Sequence, residues 1–532
     1  MKKLLVAFLC FFAAITAQAA LELPAVFGDH MVLQRGLANP IWGWGNPRSD
    51  VTIKFAGQEK TTKIDERGRW KLKLDPIAEA NAEGQTIEIV SGRQQLLLKD
   101  VLIGDVWICS GQSNMEWRTT QALNPQEEVA AADYPQIRLF DVLGHTIAPS
   151  PKDKLNGNWA LCSPATVGNF SAVGYFFGRE LHAEGGVPIG LIGTNWGGTR
   201  VEPWTPPIGF RGVEELASMS KQVDAFDATT ESGKTTWSAH IDALETWISE
   251  NRTSLKAGEG VSAPPQTPGY TNQGQPTTIY NAMVAPLVGY GVRGAIWYQG
   301  ESNGNEGEAY FHKLRALVEG WRTVWDQGDF PLYFYVVQLA NFQTPQTTPA
   351  GGDGYAKIRD GQTRVLELPH TGLAVITDIG EANDIHPKNK QDVGKRLARW
   401  ALRDIFKKDI VVSGPKFKGL EVKGGEARVS FDHVGGGLMP GKKVGLKPVA
   451  VAEQLNIDGG SGSTGVEGFA IAGEDKVWHW AKATIDGDSI VLTSSEVSVP
   501  VAVRYAWAGN PTRANLYNKD GLPGVPFRTD DW

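Results

Sequence analysis

Cysteine is nearly absent. The chain of 532 residues holds 3, and Cys10 falls in a leader that reads as removable, which leaves Cys109 and Cys162. A small scaffold stapled by disulfides is excluded, although a single bond between these two thiols stays open. Histidine is sparse as well: the 9 present include no His-x-x-x-His pair and no tight Cys/His group, which argues against a zinc hydrolase. No stretch beyond the leader is long and apolar enough to span a bilayer. A dense Lys/Arg block is also missing, and 52 basic against 59 acidic residues give a net charge of −7. Sequence-independent binding of nucleic acid depends on neutralising phosphates, so nucleic acid and other polyanions are poor partners for this chain. No repeat of fixed period appears, which argues against solenoids and propellers.

What is present describes a large globular protein. Hydrophobic residues make up 41% and charged residues 21%, and the length suits two to four folding units. The first twenty residues read as a signal peptide: Lys2 and Lys3, an apolar stretch at 4–15, then Ala17, Gln18 and Ala19 as a small-x-small cleavage site. The mature chain then begins near Ala20 or Leu21, secreted or periplasmic and free of the membrane. A lipoprotein reading through Cys10 is weak, because bulky Phe8 and Leu9 precede it. Over residues 21–99, alternating apolar positions such as Val51, Ile53 and Phe55 between turn formers predict a small β-sandwich. Apolar runs at 101–109, 189–194, 295–298, 332–339 and 373–377, with helix-like segments between them, predict a parallel sheet in an α/β domain over 100–406. A helical insertion is expected at about 212–276, where Trp237, Ile241, Leu244 and Ile248 are spaced three or four apart before a Pro/Gly/Gln-rich loop. Residues 407–532 return to β patterning, broken by glycines at 435–437 and 459–465.

Open α/β sheets place their sites at the C-terminal ends of strands, and chemistry-bearing residues gather there. Ser113 follows the first buried run, where a strand turns toward a helix and backbone amides lie close, as a nucleophile requires. Asn114 and Met115 follow it, so the Gly-x-Ser-x-Gly elbow of ordinary α/β-hydrolases is not matched, and a turn that caps the next helix remains the plain alternative. Asp384, Ile385, His386 and Pro387 follow the last run. Proline favours the first position of a helix, so His386 is expected as its N-cap, with Asp384 the nearest carboxylate. Simple capping by His386 is the alternative there. Gln299, Glu301 and Asn303 close a third run, where Gln299 or Asn303 can donate to an oxyanion. Glycines 197 and 198 after a fourth run allow close approach of a substrate oxygen.

The order of these parts, Ser, Gly, amide, Asp/His, resembles the SGNH hydrolases, and in particular the sialate O-acetylesterase-like branch. The resemblance spans most of the mature chain: FGDHMVLQ at 27–34, GQSNME at 111–116, GGT at 197–199, WYQGESN at 297–303, DIHPKNK at 384–390, YAW at 505–507 and NLYNKDGLPGVPFRTD at 515–530. It implies a flavodoxin-like hydrolase domain and a carbohydrate O-acetylesterase without metal or cofactor. Ser113 would be the nucleophile, His386 the general base and Asp384 its orienting acid. The amides of Ser113 and Gly198 and the side chain of Gln299 would form the oxyanion hole. One departure is that the superfamily's acid lies three residues before the histidine, where this chain has Asn383. Either Asp384 reaches Nδ1, or a backbone carbonyl holds the ring of a dyad. On this reading Gln299→Ala slows turnover strongly and leaves the fold intact.

Of 18 tryptophans, Trp117, Trp196, Trp204 and Trp297 adjoin the motifs. Core packing accounts for most. Trp117 and Trp204, on expected loops, are the candidates for stacking on sugar rings. Arg200 and Glu202 suit sugar hydroxyls or a carboxylate, or equally an internal ion pair, and Asn303 is a further candidate for substrate contact. O-acetylated sialic acid and acetylated hemicellulose, xyloglucan or xylan, both fit as substrates. A glycan-binding protein without catalysis is the competing class, and a lipase is disfavoured because no long apolar lid is apparent. The sequence leaves the oligomeric state open.

Overall fold

The computed structural model describes residues 19–451 and 465–532. Nearly all of the expected leader, with Cys10, lies outside the described residues, as does most of the glycine tract at 459–465. Among the described residues no helix is long and apolar enough to cross a membrane.

The run at 101–109 is the enclosed half of one long strand, β1 (Gln94–Gly111), whose first residues alternate in exposure while every residue from Val101 onward is buried. A strand covered on both faces needs apolar side chains at successive positions, which Val101, Leu102, Ile103, Val106, Trp107 and Ile108 supply. Six further strands extend it: β2 (Tyr134–Val142), β3 (Gly157–Cys162), β4 (Ile189–Asn195), β5 (Gly294–Tyr298), β6 (Tyr333–Val337) and β7 (Thr371–Ala374). Their order is β7-β6-β5-β1-β4-β2-β3, parallel throughout except for the antiparallel edge strand β3. The β2 and β3 strands escaped the sequence reading because β2 carries Pro135, Arg138 and Asp141 in a stretch that otherwise resembles a buried run. Arg138 is enclosed there because its Nη1 donates to Asp100 Oδ2 at 2.7 Å.

Helices cover both faces. Those that do so include α1 (Ala172–Gly185), α3 (Ala309–Trp325) and α4 (Lys390–Asp404), while the long helix α2 (Glu231–Lys256) stands apart from the sheet. On one face Trp107 of β1 meets Phe177 of α1 edge-on at 5.0 Å. Gly394 of α4 lets that helix approach α1 so closely that a Cβ there would lie 2.6 Å from the Phe177 nitrogen. On the other face Trp297 of β5 meets Trp321 of α3 at 6.3 Å. The strand β1 lies between β4 and β5, where the connections change direction, and this is the crevice at which open sheets bind ligands.

The terminal regions are β-rich, as expected. The strands Asp50–Phe55 and Asn81–Ser91 carry the N-terminal sheet onto the first half of β1. An expected boundary at 99/100 therefore falls inside a continuous strand, at a bend where Asp100 adopts φ +55°. The helical insertion forms α2, but Ile241 and Ile248 of its apolar stripe are 53% and 42% exposed. At the other end the C-terminal region docks onto the α/β body through buried Arg359, whose guanidinium donates to the carbonyls of Leu339, Ala340, Ala508 and Gly509. The YAW segment thus leads into a docking seam. Cys109 and Cys162 are free and buried, so the open disulfide is not formed, and burial pushes the Cys162 thiol up to about 12.

Candidate active site

At the end of β1 the chain must turn sharply beneath β5. Gly111 has φ +141°, and a Cβ there would fall 2.1 Å from the Tyr298 carbonyl oxygen, so only glycine fits. The Gln112 amide donates to that same carbonyl, and a single helical turn, Ser113–Glu116, follows. Ser113 occupies the first helical position, where the backbone N–H has no intrahelical acceptor. Its Oγ lies 2.9 Å from His386 Nε2, a contact across 273 residues of sequence.

His386 does not cap the helix that follows it, contrary to the sequence expectation. Asn389 is the N-cap of α4, its side chain accepting from the Asp392 amide, because a short amide oxygen reaches the exposed N–H groups of a first turn better than an imidazole does. His386 instead stands in the bend before the helix, stacked on Trp117 with ring centroids 4.8 Å apart and planes 15° from parallel. Asp384 Oδ1 accepts the His386 backbone N–H at 2.9 Å and lies 3.5 Å from Nδ1, a long contact for an orienting hydrogen bond. Burial and the Lys390 charge hold the imidazole below its ordinary pKa, against the opposing pull of Asp384.

The Gly-Gly turn after β4 reaches the nucleophile from the other side. A Cβ on Gly197 would lie 3.2 Å from Ser113 Cβ, and the Gly197 amide is spent on Glu116 Oε2 at 2.6 Å. Gly198 is exposed, with φ +72°. Glu116 also meets His145 Nε2 at 3.1 Å, and His145 stacks on Trp196 at 4.7 Å. The Ser113 turn therefore contacts two stacked indole–imidazole pairs, Trp117 with His386 and Trp196 with His145.

A family model described as carbohydrate esterase, sialic acid-specific acetylesterase, matches residues 268–403. A sialate O-acetylesterase of Rattus norvegicus is 30% identical over 434 residues, covering 74% of this chain and 75% of that protein. The Mus musculus enzyme is 27% identical, covering 94% of this chain and 92% of its own length. The crystal structure of a carbohydrate acetylesterase from Xanthomonas citri superimposes with a TM-score of 0.75 at 36% identity, covering 96% of this chain and all of that one (100%). The chain belongs to the sialate O-acetylesterase family. It is an esterase of the carbohydrate acetylesterase type.

In this family member the expected site residues divide. Ser113, His386, Asp384 and Trp117 come together, and Gly198 lies at the adjoining turn. Gln299, Asn303 and Trp204 do not line the crevice. Gln299 is wholly enclosed, its Nε2 donating to the Thr199 carbonyl at 3.2 Å and Asn303 Oδ1 at 2.8 Å while its Oε1 accepts from the Tyr310 hydroxyl at 2.8 Å. With both amide hydrogens engaged, it has no donor left for an oxyanion. Asn303 is equally committed, accepting from the Val201 amide and donating to Glu202 and Glu306. Trp204 is fully buried, because the indole is sandwiched among the aromatics beneath the sheet: it packs edge-on against Trp297 at 6.1 Å and donates to Thr199 Oγ1 at 3.0 Å. Arg200 realises the ion-pair alternative, bound to Glu202 at 3.1 Å and to Glu306.

Gln299→Ala is thus expected to act on the fold. It removes three buried hydrogen bonds, those to the Thr199 carbonyl, Asn303 Oδ1 and the Tyr310 hydroxyl, and opens a cavity, at a cost of ~2–4 kcal/mol that a denaturant titration reads directly. An unchanged midpoint together with a collapse in turnover restores the oxyanion role. The sequence reading missed Glu116, His145, Asn114 and Lys390. Glu116, Asn114 and Lys390 stand within quoted motifs and so were legible as neighbours of the nucleophile and base, whereas His145 lies in a loop without pattern.

Proposed function

We propose that this esterase removes acetyl groups from sugar hydroxyls through an acetyl-Ser113 intermediate, on an SGNH-type flavodoxin-like hydrolase domain, after export directed by the leader at 1–20. The observation that carries the reading is the 2.9 Å approach of Ser113 Oγ to His386 Nε2. Ser113 attacks the acetyl carbonyl while His386 takes the hydroxyl proton. The tetrahedral oxyanion is held by the Ser113 and Gly198 amides, and each such donor contributes about 3 kcal/mol to the transition state. His386 then returns the proton to the departing sugar oxygen. Water, deprotonated by His386, cleaves the acetyl-enzyme, releasing acetate and restoring the serine hydroxyl. Asp384 steadies the ring through its hold on the His386 backbone and its long contact with Nδ1, a looser arrangement than a full triad.

The relatives named as sialate O-acetylesterases support O-acetylated sialic acid as one substrate class. Acetylated hemicellulose is the second reading, favoured by one observation: Arg200, the cation that would meet a sialate carboxylate, is already neutralised by Glu202 and Glu306. Acetate release from acetylated sialate, xyloglucan and xylan, measured side by side, decides between them. No acetate from any acetylated glycan, with hydrolysis of a small aryl acetate run as the control and intact, overturns the carbohydrate reading.

The pH dependence has a definite sign. His386 accepts a proton only when neutral, and its pKa lies below the ordinary 6.5. The acidic limb of kcat/KM is therefore expected to have its midpoint below 6.5, so that activity persists into mildly acid solution. A midpoint well above that value contradicts the buried, Lys390-facing environment of the imidazole.

A further inference from the structure

Beneath the Ser113–His386 pair lies a charged cluster that the hydrolytic steps do not use. Lys390 is fully buried at the first position of α4, four residues after His386 in the same motif. This is an unfavourable place for a cation, since the positive end of a helix and the loss of water both act against the ammonium. Its compensation comes from two other strand ends. Lys390 Nζ donates to Asn114 Oδ1, and Asn114 Nδ2 donates both to Glu301 Oε1 at 2.6 Å and to the Ile385 carbonyl at 3.0 Å. Glu301 Oε2 is enclosed without a hydrogen-bond partner among the described residues. The ammonium also lies 5.1 Å from the Tyr298 ring centroid and 5.8 Å from that of Trp117, the ring on which His386 stacks. One amide, on the residue after the nucleophile, thereby ties together the serine turn, the segment after β5 and the residue before the base.

We propose that Lys390, acting with Asn114 and Glu301, is a positioning residue: its buried charge keeps His386 neutral and aligned to receive the Ser113 proton. The inference rests on the Ser113–His386 reading of the site. The groups facing Lys390 are Glu301, Asp384 and Glu381, and those facing His386 are Asp384, Lys390 and Ser113. Burial lowers Lys390 to about 7 and, together with the Lys390 charge, lowers His386 as well, so the ammonium opposes protonation of the imidazole. Removing that charge makes the imidazolium easier to form.

The test is kcat/KM against pH on an aryl acetate for the unaltered enzyme, Lys390→Met and Lys390→Gln, with Ser113→Ala in parallel. Both lysine variants are expected to move the acidic limb upward by roughly half a pH unit or more. Lys390→Gln keeps a donor for Asn114 and should recover part of kcat without recovering the limb. Folded variants whose acidic limb coincides with that of the unaltered enzyme, beside an inactive Ser113→Ala chain, overturn the role of Lys390 alone. A Ser113→Ala chain that still hydrolyses the ester removes the underlying dyad instead. If neither lysine variant folds, the 13Cε titration of the unaltered enzyme supplies the reading: a lysine titrating near 7 is expected. A Lys390 resonance that has already lost its proton at the pH where His386 gains one overturns the inference, because the charge is then absent where it is needed.

Discussion

Ser113→Ala is expected to reduce turnover of both an aryl acetate and an acetylated glycan by roughly 10⁴-fold or more, with binding of the glycan and the melting temperature unchanged. The side chain is partly exposed at the head of a short helical turn, so loss of one oxygen disturbs no packing. What disappears is the only group in the 2.9 Å contact that can form the acetyl-enzyme. Mass spectrometry after rapid quenching provides the complement, with a 42 Da adduct (an acetyl group, about 42 Da) on the Ser113 peptide of the unaltered chain and none on the variant. Undiminished hydrolysis would remove Ser113 as the nucleophile and assign the ester cleavage to another group.

The second large effect separates His386 from its acidic neighbour. His386→Ala should cost roughly 10⁴-fold in kcat, since the proton of Ser113 then has no acceptor within reach. Asp384→Asn should cost far less, roughly 10²-fold at most, because the carboxylate is 3.5 Å from Nδ1 and its shorter bond, at 2.9 Å, is to the backbone N–H of His386. An asparagine oxygen can accept that backbone bond. Equal losses in the two variants would show that the carboxylate closes onto Nδ1 during turnover and that a full triad operates.

These contrasts show where the sequence was informative. The five enclosed parallel strands were legible because burial on both faces writes an unbroken apolar run, and the serine and histidine were legible because each stands at the end of such a run or just past it. The edge strand β3 and its neighbour β2 were not, since a charge pair between Arg138 and Asp100 allows polar residues inside β2. The amide residues illustrate a different limit. Gln299 and Asn303 have the chemistry of oxyanion donors, but a side-chain amide has only two hydrogens, and here the interior takes them all. Residue type at a strand end identifies what a group can do; which partner claims it depends on contacts such as that of Tyr310 with Gln299, 11 residues away, and of Thr199 with Gln299, 100 residues away. Trp204 was misread for a related reason: a short helical turn after a glycine pair has the composition of a surface loop, yet it is roofed by Trp321 of α3, whose indole donates to the Trp204 carbonyl at 3.0 Å.

The unbroken course of β1 bears on how the catalytic part can be isolated. One ribbon of backbone begins among the N-terminal strands at Gln94 and ends at Gly111, two residues short of the nucleophile. Trimming the gene at position 100 would therefore strip the hairpin partner Asn81–Ser91 from the same rod that aims the serine, and would leave a raw, sticky margin of unsatisfied peptide groups. A minimal hydrolase made from this protein has to carry its N-terminal strands with it.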